Sequence, residues 1–130
     1  MLLEYTRANG SADGNDERLY KATTDKDNNI ISVGYFSDEF DINFSTTNSN
    51  ILTSKGGLDG FVLKTNSKGE FQWGFSLANT QDDIVYDVIT DHNGDVLVTG
   101  YFTGTTMDMD PSGVVNNLTG TSGYNSYIIK

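Results

Sequence analysis

The 130-residue chain contains no cysteine, so disulfides, zinc thiolate sites and thiol nucleophiles are all excluded. Proline occurs once and histidine once. A Ser-His-Asp triad would have to use His92, which sits in an Asp-x-Asn-Gly turn with no visible orienting partner. Basic residues are scarce: 8 Lys and Arg stand against 18 Asp and Glu, for a net charge of −10. That field repels a phosphate backbone and an anionic membrane, so neither nucleic-acid binding nor membrane insertion is expected. No run of about 18 apolar residues exists to cross a bilayer as a helix. The opening Met1-Leu2-Leu3-Glu4-Tyr5 lacks the basic start and long apolar core of a signal peptide. No stretch repeats apolar residues at i, i+3, i+4 and i+7, so almost no helix is expected.

What the sequence does have is glycine, 14 residues of it, and short apolar runs separated by Asn, Asp, Ser and Thr. That is the composition of many short strands joined by tight turns. The runs recur. An offset of 66 positions lays Tyr20 on Tyr86, Thr24-Asp25 on Thr90-Asp91, Gly34-Tyr35-Phe36 on Gly100-Tyr101-Phe102, and Lys64 on Lys130. The match slips by one residue near Asp41-Ile42-Asn43-Phe44, which aligns better with Asp108-Met109-Asp110-Pro111. A slip of this kind marks a surface loop.

The repeats set the expected organisation: repeat 1 over residues 1–66 and repeat 2 over 67–130. Repeat 2 predicts strands at Phe71–Leu77, Ile84–Thr90, Asp95–Phe102 and Tyr127–Lys130, with a loop through Met107–Gly113. Repeat 1 predicts Leu3–Ala8, Leu19–Thr24, Ile30–Phe36 and Phe61–Lys64 in matching places. The alternation of Phe71, Trp73, Phe75 and Leu77 predicts a buried face that includes the lone tryptophan. The wholly apolar Phe61–Leu63 and Tyr127–Ile129 predict burial on both faces. Four antiparallel strands cannot cover both of their own faces, whereas radial stacking can. The expected fold is therefore all-β, with two four-stranded antiparallel repeats as consecutive blades of a β-propeller.

Three runs carry a resemblance: Gly57-Leu58-Asp59-Gly60-Phe61-Val62-Leu63-Lys64, the following Phe71-Gln72-Trp73, and Asp91-His92-Asn93-Gly94-Asp95-Val96-Leu97-Val98-Thr99-Gly100-Tyr101-Phe102. Together they resemble the bacterial β-propeller repeat called SBBP. Asp95 departs from that pattern, which has asparagine there, and Arg7 stands where the second copy has Trp73. The resemblance implies a secreted or cell-surface bacterial protein with more blades than two. It implies no reaction.

Candidate sites follow from residue type. Asp25, Asp27 and Asn29, and likewise Asp91, Asn93 and Asp95, have the spacing that opens a calcium loop. An EF-hand needs Gly at its sixth place and Glu at its twelfth, where this chain has Ile30 and Phe36, or Val96 and Phe102. A turn held by Asx side chains is the preferred reading, and no calcium or other cofactor is expected. Tyr35, Phe36, Tyr101 and Phe102 put two aromatics on opposite faces of each strand. One of each pair is expected in the core, and the other is suited to stacking on a sugar or gripping a protein loop.

The favoured expectation is a non-catalytic scaffolding and interaction module, partnered by further blades or further copies of the chain. A carbohydrate-binding propeller with one site per blade is the alternative. Membership of a larger hydrolase or lyase, with its catalytic residues elsewhere, is the weakest reading.

Overall fold

In the computed structural model, residues 16–130 are described. Every described element is a β-strand. Strands β1 (Arg18–Thr24), β2 (Ile30–Phe36), β5 (Asp59–Thr65) and β6 (Phe71–Leu77) form one antiparallel sheet in the order β1-β2-β5-β6. Strands β7 (Asp83–Thr90), β8 (Val96–Thr103) and β11 (Tyr124–Ile129) form a second, in the order β11-β8-β7. The first sheet thus takes its last strand from beyond residue 66. The expected strand at Leu3–Ala8 lies outside the described residues.

One five-residue turn closes three of the hairpins. In each, the first side chain accepts two backbone N–H groups: Asp25 from Asp27 and Asn29, Asn66 from Lys68 and Glu70, Asp91 from Asn93 and Asp95. The fourth residue bends left-handed, at φ 61° for Asn28, 78° for Gly69 and 90° for Gly94. Asn and Gly are the residues that tolerate this region best.

The stretch from β2 to β5 is not all loop. It contains a small hairpin, β3 (Glu39–Asp41) with β4 (Ile51–Thr53), and the second unit repeats it as β9 (Thr106–Asp108) with β10 (Asn117–Thr119). Asp41 Oδ1 accepts from the N–H of Asn43 and Asn50, and Asp108 Oδ1 from those of Asp110 and Asn116. The one-residue slip between repeats opens between Phe36 and Glu39, just before β3, and closes inside this clamp. Three-residue strands are too short to announce themselves by alternation, so Met107–Gly113 looked like plain loop.

The core lies between the sheets. Ile31, Val33, Val62 and Leu77 of the first sheet pack with Val85, Val88, Val98, Phe102 and Tyr127 of the second. On the first sheet's other face, Phe36, Phe61 and Leu63 are covered by Phe40 and Ile42 of its own small hairpin. Strand β5 is accordingly buried on both faces. Strand β11 is not. Ile128, the counterpart of Val62, is 68% exposed where Val62 is 1%. The expectation of two-sided burial at Tyr127–Ile129 therefore fails, because no described element covers the outer face of the second sheet. Trp73 also differs from expectation. It is partly buried, stacked on Phe75 at 5.8 Å beside an open cleft of about 650 Å³ that is also lined by Met109, Pro111 and Ile129.

Candidate functional site

The most distinctive surface is a row of tyrosines crossing from one sheet to the other. Strand β1 slips register against β2 between Leu19 and Lys21, and β7 slips against β8 between Val85 and Asp87. The residues left over are Tyr20 and Tyr86, at equivalent places in the two repeats. A bulge of this kind re-aims the extra side chain. Here it turns both rings outward, 43% and 46% exposed. Ring centroids follow one another at 5.5 Å from Tyr35 to Tyr20, 5.0 Å to Tyr86, 5.7 Å to Tyr101 and 5.0 Å to Tyr124.

The ladder's two ends differ. Tyr35 is buried, and its hydroxyl donates to Asp16 Oδ2 at 3.2 Å. Burial raises its pKa, and the bond to Asp16 adds to the effect. Tyr101 is partly buried and is likewise raised, first by burial and then by the neighbouring Tyr86. Tyr124 is 77% exposed. The charges beside the ladder are matched, Arg18 with Asp16 and Lys21 with Asp87, each at 3.3 Å. The result is a polar, flat-faced surface, with Asp82 adding negative charge near Tyr101.

Each sequence-predicted residue now has a place. Phe36 and Phe102 are core. Tyr35 is anchored at one end of the ladder, and Tyr101 lies within it. Sequence reasoning missed Tyr20, Tyr86 and Tyr124 as surface residues. The equal spacing of Tyr20 and Tyr86 was visible, but the bulges that expose them leave no mark in the alternation. Tyr124 has Leu58 as its counterpart, so the repeat gives no signal for it.

The calcium-spaced residues are engaged differently. Beyond its two turn N–H groups, Asp25 meets the Lys64 ammonium at 2.7 Å and the Asn29 side-chain amide at 2.9 Å. Burial opposes its ionisation, but Lys64, Asn29 and the turn amides outweigh this and hold the carboxyl well below the usual range. Asp91 meets Lys130 at 2.7 Å, and Asp95 meets the same ammonium at 2.9 Å. The bond to Lys130 lowers Asp91 to about 2, and Lys130 in turn is pushed up to about 12. Asp27 pairs with Lys26 at 3.1 Å, and Asn93 contributes its backbone N–H to the turn. A lysine ammonium thus lies beside each of these turn carboxylates.

No family model matches the chain, and neither a curated protein nor a solved structure matches it.

Proposed function

We propose that the chain is a non-catalytic segment of a β-propeller, two neighbouring blades that serve as an interaction module in a bacterial surface or secreted protein. One observation carries this reading. Where β1 meets β7, residues at equivalent repeat positions touch each other. Tyr20 stacks on Tyr86, Lys21 pairs with Asp87, and Thr90 Oγ1 donates to the Thr24 carbonyl at 2.9 Å. Like meets like along a strand when two units are related by rotation about a nearby axis, and the innermost strands of adjacent propeller blades stand in that relation. The remaining blades come from more sequence or from further copies of this chain. Among the described residues His92, exposed on its turn, has no orienting group beside it that would make it a base.

Native mass spectrometry with electron-microscopy class averages of the purified chain tests this. Discrete ring-shaped assemblies of a few copies support the reading. A uniform population of folded monomers contradicts it.

The tyrosine ladder favours a second reading, a carbohydrate-binding propeller. Flat rings, four of whose five hydroxyls have no partner among the described residues, suit sugars, which present apolar ring faces and hydroxyl edges. A glycan array separates the readings: binding that is lost in Tyr20→Ala and Tyr86→Ala supports the lectin, and no binding leaves the scaffold.

A further inference from the structure

Two carboxyl groups are shut in at the junction between the sheets. Asp59 opens β5 and Asp83 opens β7, and neither has any solvent exposure. The backbone N–H of Asp83 donates to the Leu58 carbonyl at 2.6 Å, which brings the backbones of the two acids together across the junction, close enough for the Asp59 charge to act on Asp83. Each has one oxygen satisfied. Asp59 Oδ2 accepts the Lys55 N–H, and Asp83 Oδ2 accepts the Asn79 N–H. The Oδ1 of each is buried with no hydrogen-bond partner. No ion pair among the described residues reaches either acid. An ionised pair left like this is costly, because like charges in a desolvated site cannot both persist.

The second repeat shows what this position is built to hold. Asn125 lies 66 residues after Asp59. Its Oδ1 accepts the N–H of Thr121, as Asp59 accepts that of Lys55. Its Nδ2 donates to the carbonyls of Gly104, Thr121 and Gly123, each at 2.9 Å. In the second repeat this position therefore takes an acceptor on one side and a donor on the other. A carboxylate has only acceptors, whereas a carboxylic acid has both and matches the amide in shape.

We propose that Asp59 and Asp83 hold a proton between them, and that this proton latches the two sheets together. The groups around the pair act in both directions. The Lys55 and Gly56 N–H groups, the Ser54 hydroxyl and the Lys55 ammonium favour the ionised form of Asp59, and burial outweighs them. Asp82, just before β7, adds negative charge. From β8 comes only the Thr103 N–H, and from β11 the phenol of Tyr127, which is itself raised by burial and by Asp83. Burial pushes Asp83 up to about 7, with Asp59 contributing, and burial raises Asp59 as well.

The sign follows. The native chain keeps a proton that the unfolded chain releases near the ordinary carboxyl pKa of about 4. Stability from the latch is complete below that value. It falls as pH rises from about 4 towards 7. The inference concerns this junction alone and does not depend on how the outer faces are completed.

Thermal melts of the full chain between pH 5 and pH 7.5 test it, with Asp59→Asn as the matched variant. The wild type is expected to lose several degrees of Tm on going to pH 7.5. Asp59→Asn, which installs the amide that Asn125 already uses, is expected to fold and to flatten most of that slope. A carboxyl NMR titration of the wild type reads the proton directly, whether or not the variant folds, and is expected to give one midpoint well above 4. A wild-type Tm that is level or rising over this range overturns the proposal, as do midpoints near 4 for both acids. So does a Tm at pH 8 that millimolar calcium raises in the wild type but not in Asp59→Asn, since the pair then holds a cation.

Discussion

At the scale of single residues, the two copies of one turn have been put to unequal use. Asp25 and Lys64 are largely enclosed, whereas Asp91 and Lys130 lie at the open edge of the second sheet. Exposed pairs contribute little, and enclosed ones are costly to break. Lys64→Ala is therefore expected to cost about 1.5–3 kcal/mol in denaturant melts, the range of a hydrogen bond to a charged group. Lys130→Ala should move the midpoint far less. Equal losses would mean that the enclosure of Lys64 has no energetic consequence. These carboxyls also fix the acid limb. Asp91 is lowered to about 2 and Asp25 is lowered further still. Their contribution is present above the ordinary carboxyl range and is lost as pH falls through it. Circular dichroism should show stability dropping below about pH 4, most steeply between about pH 4 and pH 2. The turn chemistry of Asp25 and Asp91 was legible from spacing alone. Their lysines were visible only as a repeated residue, because an ion pair between distant strands has no local signature.

At the scale of elements, the repeated Gly-Tyr-Phe run of β2 and β8 has a steric cause. A Cβ on Gly34 would lie 1.8 Å from the Arg18 carbonyl oxygen, and one on Gly100 would lie 1.9 Å from that of Ile84. Each carbonyl belongs to the strand whose bulge projects the exposed tyrosine, so glycine, bulge and tyrosine form one device. Gly100→Ala is expected to cost more than about 2 kcal/mol, with Tyr86 losing its place in the ladder. A silent substitution would refute the close approach. Tryptophan makes the opposite point. Alternation correctly placed Trp73 on the inward face of β6, but a strand pattern says nothing about whether a neighbour is there to complete the burial. Since Trp73 is only partly covered, Trp73→Ala should cost about 2 kcal/mol rather than the 3–5 typical of an enclosed ring. The long strands were legible because a period of two is unmistakable over seven residues. The small hairpins were not, because their register rests on Asp41 and Asp108 rather than on apolar alternation.

At the scale of the whole molecule, the two units are alike in sequence and unlike in burial. Val62 is sealed while its counterpart Ile128 is bare, and the exposed Tyr124, Ile128 and Ile89 all lie on the second sheet. The repeat made the stacking of sheets legible. It did not reveal which faces remain open, since burial depends on neighbours and not on the residue. An open apolar sheet face beside a strand edge that no described strand pairs is unstable in water and seeks a partner. Light scattering on the purified 130-residue chain across micromolar concentrations tests this most directly, with Ile128→Lys as the variant that spoils the open face. The account predicts assemblies of three or four copies of the 14.2 kDa chain, reduced towards monomer by Ile128→Lys. A wild-type chain that stays monomeric throughout and unfolds in one cooperative transition would contradict it.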